Sequence, residues 1–313
     1  MLIEIKAVGV CGSDVHYYEH GRIGSYIVRQ PLILGHEAAG VIADVGESVD
    51  KRRVGERVAI EPGIPDGTCE QCRSGHYNLC PNVRFFGTPP IDGAFTNYVI
   101  IPESFAYTLP DQMSDEEGAL IEPLSVGLWA CRKAKLQGAD RILITGAGPI
   151  GMLAMKVALA LGATSIIMTD VYPQRLEMAQ KLGATRTLNV ANQLLANAGI
   201  EADVLIECSG NQTALMDGIR SLRPAGKTVV VGMNPGEEVS IPMSFIQNRE
   251  ITLSGTFRYA NTYADAIALV ASGRIDLKPV ITGHYALEET EQALQATRQD
   301  PANIKSVVVP KHS

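Results

Sequence analysis

The sequence predicts an α/β protein in which a mostly β part accompanies a doubly wound parallel sheet, as two domains or as one domain set into the other. Three observations carry this. At 313 residues, 46% of them hydrophobic, the chain is long enough for about two domains of roughly 150 residues each. Residues 2–140 read as short strands broken by turns, and the middle of the chain then alternates strand and helix patterns. After Gly255 helical patterns return and lead to a last strand.

Taken in order, Ile3, Ile5 and Ala7 alternate with Glu4 and Lys6 as in a half-buried strand. VIADVG (41–46), RVAIEPG (57–63) and AFTNYVIIP (94–102) are further strand stretches, separated by Gly, Pro and Asp clusters. From about Glu122 the pattern becomes RILITG (141–146), PIGMLAMKVALALG (149–162), TSIIMTD (164–170), PQRLEMAQKLG (173–183), ADVLIECSG (202–210) and KTVVVG (227–232). Strands alternating with helices in this way predict a parallel sheet covered by helices. TYADAIALVASG (262–273) and LEETEQALQATRQ (287–299) read as helices, and SVVVP (306–310) as the closing strand. There is no internal repeat and no low-complexity segment.

Composition narrows the function. The balance of 27 basic against 34 acidic residues gives a net charge of −7, without a basic strip interleaved with aromatics, so nucleic acid is not an expected partner. The apolar run 142–168 has the length of a membrane span, but Gly146, Gly148, Gly151 and Gly162 argue against one, and no membrane association is expected. Six cysteines are too few for a secreted disulfide scaffold, and the N-terminus lacks a basic leader. A cytoplasmic protein is therefore expected.

Gly146-Ala147-Gly148-Pro149-Ile150-Gly151 follows an apolar strand and opens a helix. Glycines there allow the tight turn, the approach of backbone to a pyrophosphate and close helix packing, while the helix N-terminus offers partial positive charge. Asp170 ends the next strand about 20 residues further on, where a carboxylate accepts hydrogen bonds from adenosine ribose hydroxyls and repels a 2′-phosphate. The expected cofactor is NAD. Arg175, in the following helix, lies over the adenine, assists a 2′-phosphate or is simply solvated.

Gly35-His36-Glu37 continues through Gly40 and Gly46 to Val49, and Val10-Cys11-Gly12-Ser13-Asp14-Val15-His16 precedes it. On these two segments the chain resembles the zinc-dependent medium-chain alcohol dehydrogenases, from Leu2 to Pro310. The resemblance implies a GroES-like zinc-binding catalytic domain over residues 1–122 and 259–313, enclosing a Rossmann dinucleotide-binding domain over 123–258. Zn²⁺ accepts thiolate, imidazole and carboxylate together, and a catalytic site keeps one position open. Cys11 and His36 are the surest ligands. The third is Glu37 or Glu122, since Glu122 stands where the family usually has a later cysteine; in the polyol dehydrogenase branch Glu37 is the ligand and Glu122 stands close by. Asp14 is expected to steady a ligand imidazole. Asp66, Cys69, Cys72 and Cys80 resemble the family's structural zinc site of four cysteines, with one changed to aspartate. Cys131 and Cys208 are expected in core packing.

The segments 16–24, 86–90 and 255–259 resemble sorbitol and xylitol dehydrogenases in particular. The implied reaction transfers a hydride from a secondary hydroxyl of a polyol to nicotinamide. Ser13 is the family position that bonds the substrate hydroxyl, and His16 extends the proton relay. Arg258, Tyr17 and Tyr259 would meet substrate hydroxyls, with Tyr26 and Phe85 as pocket walls. His20, His76, His284 and His312 stand in no motif and receive no role. Alternatives are an L-idonate, polyol-phosphate or L-threonine dehydrogenase, and, in another class, a non-catalytic zinc-stabilised dinucleotide-binding protein. A homotetramer or homodimer is the expected assembly. The chain begins past the family's first β-hairpin, from which lower stability or dependence on subunit contacts is expected.

Overall fold

The computed structural model describes residues 1–310 apart from 235 and 237, so that His312 lies outside the described residues. The chain folds as two compact units, residues 1–123 with 260–313, and residues 124–259. The alternation at the N-terminus forms β1 (Leu2–Gly9), whose Ile3, Ile5 and Ala7 are fully buried. Then come α1 (Gly12–His20), the short β2 (Arg22–Ile23) and β3 (Tyr26–Ile27), and β4 (Glu37–Asp44). Next are β5 (Arg57–Ile60), β6 (Gly63–Ile64), α2 (Glu70–Arg73), β7 (Arg84–Phe85), β8 (Tyr98–Ile100), β9 (Ala106–Thr108) and α3 (Asp115–Ala119).

α4 (Ile121–Lys133) carries the chain into the second unit, where β10 (Arg141–Thr145), α5 (Pro149–Ala160), β11 (Ser165–Asp170), α6 (Pro173–Leu182) and β12 (Arg186–Asn189) alternate. After β13 (Ala202–Glu207), α7 (Gln212–Arg220), β14 (Leu222–Val230), α8 (Met243–Asn248) and β15 (Thr252–Gly255) complete it. All neighbouring strands here are parallel, in the order β12-β11-β10-β13-β14-β15. Ile142, Leu143 and Ile144 of β10 and Val204, Leu205 and Ile206 of β13 are fully buried, as the central strands of a sheet covered on both faces must be. Chain order reverses between β10 and β13, so the ends of those two strands flank a topological switch point.

The chain then returns to the first unit as α9 (Tyr263–Ala271), β16 (Ile281–Ala286), α10 (Thr290–Gln299) and β17 (Lys305–Val309). These close a seven-stranded mixed sheet in the order β16-β17-β1-β4-β5-β9, with β8 also paired to β1. β1 thus lies between the strand that carries Glu37 and the strand that carries Lys305. A helix over 12–20 is absent from the sequence reading; Asp14 and Tyr17 are its buried residues. Among the described residues, no helix is long and apolar enough to cross a membrane.

Candidate active site

In the first unit, one ligand atom each from Cys11, His36 and Glu37 lie within 4.8 Å of one another. Cys11 stands at the entrance of α1, His36 directly before β4, and Glu37 is the first residue of β4. Asp14, fully buried one turn into α1, ties these segments together. Its Oδ2 accepts the Cys11 N–H at 3.0 Å, its Oδ1 accepts the Gly35 N–H at 2.9 Å, and Oδ1 lies 3.5 Å from His36 Nδ1. Burial alone would push the imidazole down, but the charges of Asp14 and Cys11 outweigh it and hold His36 well above its ordinary value. For Asp14, burial pushes the other way and is overcome by His36 and the two backbone donors, which leave the carboxyl below its usual range. The Phe85 ring, centred 5.4 Å from the His36 ring, covers it on one side.

Glu37 has a partner that the sequence reading misses. Lys305 Nζ donates to both carboxylate oxygens, at 2.7 and 2.8 Å, and to the Val10 carbonyl at 2.9 Å, from a side chain only 2% exposed. Lys305 is on β17 and Glu37 on β4, two strands apart with β1 between them, a span of about 9 to 10 Å at normal strand spacing. The bond forms because the residue of β1 opposite Glu37 is Gly9, and a Cβ there would collide with the Glu37 carboxylate. The available signal was a lysine directly at the start of the apolar closing strand, which burial obliges to find an acid.

Three protein donors of thiolate, imidazole and carboxylate type are the number and kind that a catalytic zinc takes. Each Glu37 oxygen keeps a lone pair beside the one that Lys305 uses. Glu122, buried at the start of α4, lies outside the converging group. Ser13 is half-buried and His16 exposed, three residues apart on α1. Tyr17 and Phe85 are buried, whereas Tyr26 is 41% exposed on the short β3.

A second group, Asp66, Cys69, Cys72 and Cys80, also converges within 4.8 Å. The Cys69 and Cys72 sulfurs are 3.4 Å apart, and Cys72 Sγ is 3.5 Å from Asp66 Oδ1. Tetrahedral zinc with bonds of about 2.3 Å to sulfur needs donor separations of about 3.8 Å, so the group fits a closed four-ligand site. Asp66 is held in place by N–H bonds from Cys69 (2.9 Å) and Thr68 (2.8 Å) and by Asn82 (2.8 Å). These donors also keep its carboxyl far below the usual range. All six cysteines are free thiols; Cys131, in α4, is buried, and burial pushes it up to about 12.

In the second unit the glycine-rich turn joins β10 to α5, with Pro149 as the first residue of the helix. A Cβ at Gly151 would collide with the Gly146 carbonyl oxygen, so the turn can close only with glycine there. Asp170 Oδ2 accepts the Ala147 N–H at 2.8 Å, and Oδ1 accepts those of Val171 (2.8 Å) and Tyr172 (3.0 Å). The carboxylate is thereby fixed against the turn, with lone pairs left for ribose hydroxyls. Arg175 lies over the Tyr172 ring, 5.0 Å from its centre. Arg258, in the left-handed region at φ +53°, and the buried Tyr259 end this unit.

Comparison with known proteins agrees with both units. The family model described as "Alcohol dehydrogenase GroES-like domain" matches residues 1–111, and "Zinc-binding dehydrogenase" matches residues 149–272. Sorbitol dehydrogenase of Bacillus subtilis is 47% identical over 307 residues, spanning 96% of this chain and 86% of that protein. D-xylulose reductase of Saccharomyces cerevisiae is 44% identical over 322 residues, spanning 98% and 90%. Among solved structures, an Escherichia coli oxidoreductase of unknown specificity superposes with a TM-score of 0.94 at 39% identity, over 99% of this chain and 92% of that one.

Proposed function

The chain belongs to the zinc-dependent medium-chain alcohol dehydrogenases, and on that premise we propose that it is an NAD-dependent zinc polyol dehydrogenase that oxidises a secondary hydroxyl of a sorbitol- or xylitol-type substrate to a ketose. The observation that carries the reading is the convergence of one thiol, one imidazole and one carboxylate from Cys11, His36 and Glu37. Those three residues hold the catalytic zinc in this proposal, with Glu122 beside it, and Asp66, Cys69, Cys72 and Cys80 hold a structural one. When bound, the catalytic zinc acts as a Lewis acid that makes the substrate hydroxyl easier to deprotonate.

The chain's own residues do the rest. Asp14 orients the His36 ring. Ser13 Oγ takes the proton of the substrate hydroxyl as it gives its own to His16, three residues along the same helix and exposed, which releases a proton to solvent. Tyr17 bonds a further hydroxyl, and Phe85 and Tyr26 bound the pocket. Each hydroxyl partner left unpaired by a simple alcohol would cost about 1 to 3 kcal/mol, which favours polyols. Gly146, Gly148, Pro149, Ile150 and Gly151 receive the pyrophosphate and Asp170 the ribose, with Arg175 at the adenosine end. Residues 1–122 and 259–313 form the catalytic domain and 123–258 the dinucleotide domain. The protein works in the cytoplasm, where cysteines stay reduced and available to zinc, as a homotetramer or homodimer. The idonate, polyol-phosphate and threonine alternatives are not favoured, because the two relatives named above are a sorbitol dehydrogenase and a D-xylulose reductase.

The test is NADH formation from D-sorbitol and xylitol by the purified protein, before and after removal and restoration of zinc. Turnover that is lost with the metal and regained with it supports the proposal. Zinc-loaded protein that is inactive on every polyol refutes the substrate assignment.

A further inference from the structure

The carboxylate that ends β13 has no part in the site described so far. Glu207 is 1% exposed and pairs in register with Thr145, the last residue of β10, so it lies beneath the switch point where chain order reverses. The chain after it turns back over the carboxylate. Oε1 accepts the backbone N–H of Ser209 (2.7 Å) and of Gly210 (3.0 Å), the Ser209 hydroxyl, and the Thr145 hydroxyl at 3.4 Å. Burial pushes Glu207 above the usual carboxylate range in spite of these donors.

What this turn touches gives the arrangement its meaning. The position that a Cβ on Gly146 would occupy is 2.9 Å from the Ser209 nitrogen, so the turn packs directly on the first glycine of the dinucleotide motif. On its other side, a Cβ at Gly232, just past β14, would collide with the Gly210 nitrogen, and Asn234 Nδ2 donates to the Gly210 carbonyl at 2.9 Å. The loops after β10, β13 and β14 are stacked side by side at the strand ends where a dinucleotide binds in such sheets.

We propose that Glu207 is a positioning residue for the nicotinamide dinucleotide, fixing the Ser209–Gly210 turn against Gly146 so that the three loops form one preset floor for the cofactor. The proposal rests on the NAD reading above. Glu207 does not touch the reacting atoms; it consumes four donors that would otherwise be unsatisfied or would reorganise, and holds the turn in its binding geometry before the cofactor arrives.

The experiment measures NADH binding by fluorescence titration for wild type, Glu207→Gln, Glu207→Ala and Ser209→Ala, with KM for NAD, KM for sorbitol and the melting temperature recorded beside it. Glu207→Ala is expected to weaken NADH at least about tenfold, and Glu207→Gln and Ser209→Ala about threefold, since each loses a smaller part of the set. KM for NAD should rise in the same order while KM for sorbitol stays within about twofold. A merely structural role would lower the melting temperature and leave the affinity of the folded protein unchanged. Folded Glu207→Gln and Ser209→Ala proteins that bind NADH as wild type does would overturn the proposal, even if Glu207→Ala fails to fold. Wild type that binds no NADH would instead refute the NAD reading, and the proposal with it.

Discussion

The pair Lys305–Glu37 permits a test of how the converging acid is kept charged inside the first unit. Glu37 is 0% exposed, and both of its oxygens are within 2.8 Å of the Lys305 ammonium. Lys305→Met keeps the length and apolar stem of the side chain and deletes the charge. Glu37 would then be a buried carboxylate without its counter-charge, a change that costs about 3 to 5 kcal/mol when one partner of a buried pair is removed. Against a total stability of about 5 to 15 kcal/mol this is a large fraction. The double variant Glu37→Gln, Lys305→Met removes both charges and should recover about half of the loss or more, because a buried pair replaced on both sides is often nearly neutral. The assay is equilibrium urea denaturation of zinc-free protein for wild type, both single variants and the double variant. With zinc bound, the Lys305→Met penalty should shrink, since a second cation then stands beside Glu37. A double variant whose loss equals the sum of the single losses, or a Lys305→Met cost below about 1 kcal/mol as for an exposed pair, would refute the reasoning.

Other outcomes follow from the same geometry. Gly151→Ala should weaken NADH binding by at least about tenfold, measured by fluorescence titration, because the added methyl meets the Gly146 carbonyl rather than a flexible side chain. Glu61, buried between the hydroxyls of Tyr77 (2.7 Å) and Tyr107 (2.9 Å), is raised above its ordinary value by burial. Its proton is bound more tightly in the folded chain, so its stabilising contribution is complete below the unfolded value of about 4.3 and is lost as pH rises through the folded one. Relative to wild type, Glu61→Gln should therefore gain stability as pH rises from about 4 through the folded value; a pH-independent difference in urea midpoint would contradict this. Asp66→Ala should release zinc from the cysteine lobe and open Cys69, Cys72 and Cys80 to iodoacetamide. Cys131, pushed up to about 12 and buried, should stay unmodified in both proteins by peptide mass analysis.

Much of this protein is legible in its sequence because the relevant signals are local. The alternation from Ile3 to Ala7, the strand and helix periods between Arg141 and Val230, and the spacings around His36, Cys69 and Gly146 each lie within a few turns of chain, and all reappear as elements or clusters. The helix over 12–20 was hidden because its segment, GSDVHYYEH, has no apolar stripe at helical spacing; only Asp14 and Tyr17 are buried. Residue chemistry alone left the choice between Glu37 and Glu122 open, since both are acids beside ligand-like residues, and only the family resemblance favoured Glu37. In the fold, Glu37 converges with Cys11 and His36, while Glu122 does not join them.

By itself, then, the sequence determined which residue types could make a zinc site and a dinucleotide turn, because those chemistries require particular donors at short, fixed spacings. Only the tertiary structure decided what holds the acid in place. Glu37 and Lys305 are 268 positions apart and meet because β4, β1 and β17 are neighbours and because Gly9 leaves the path between them open, and no local pattern encodes which distant strands will pair.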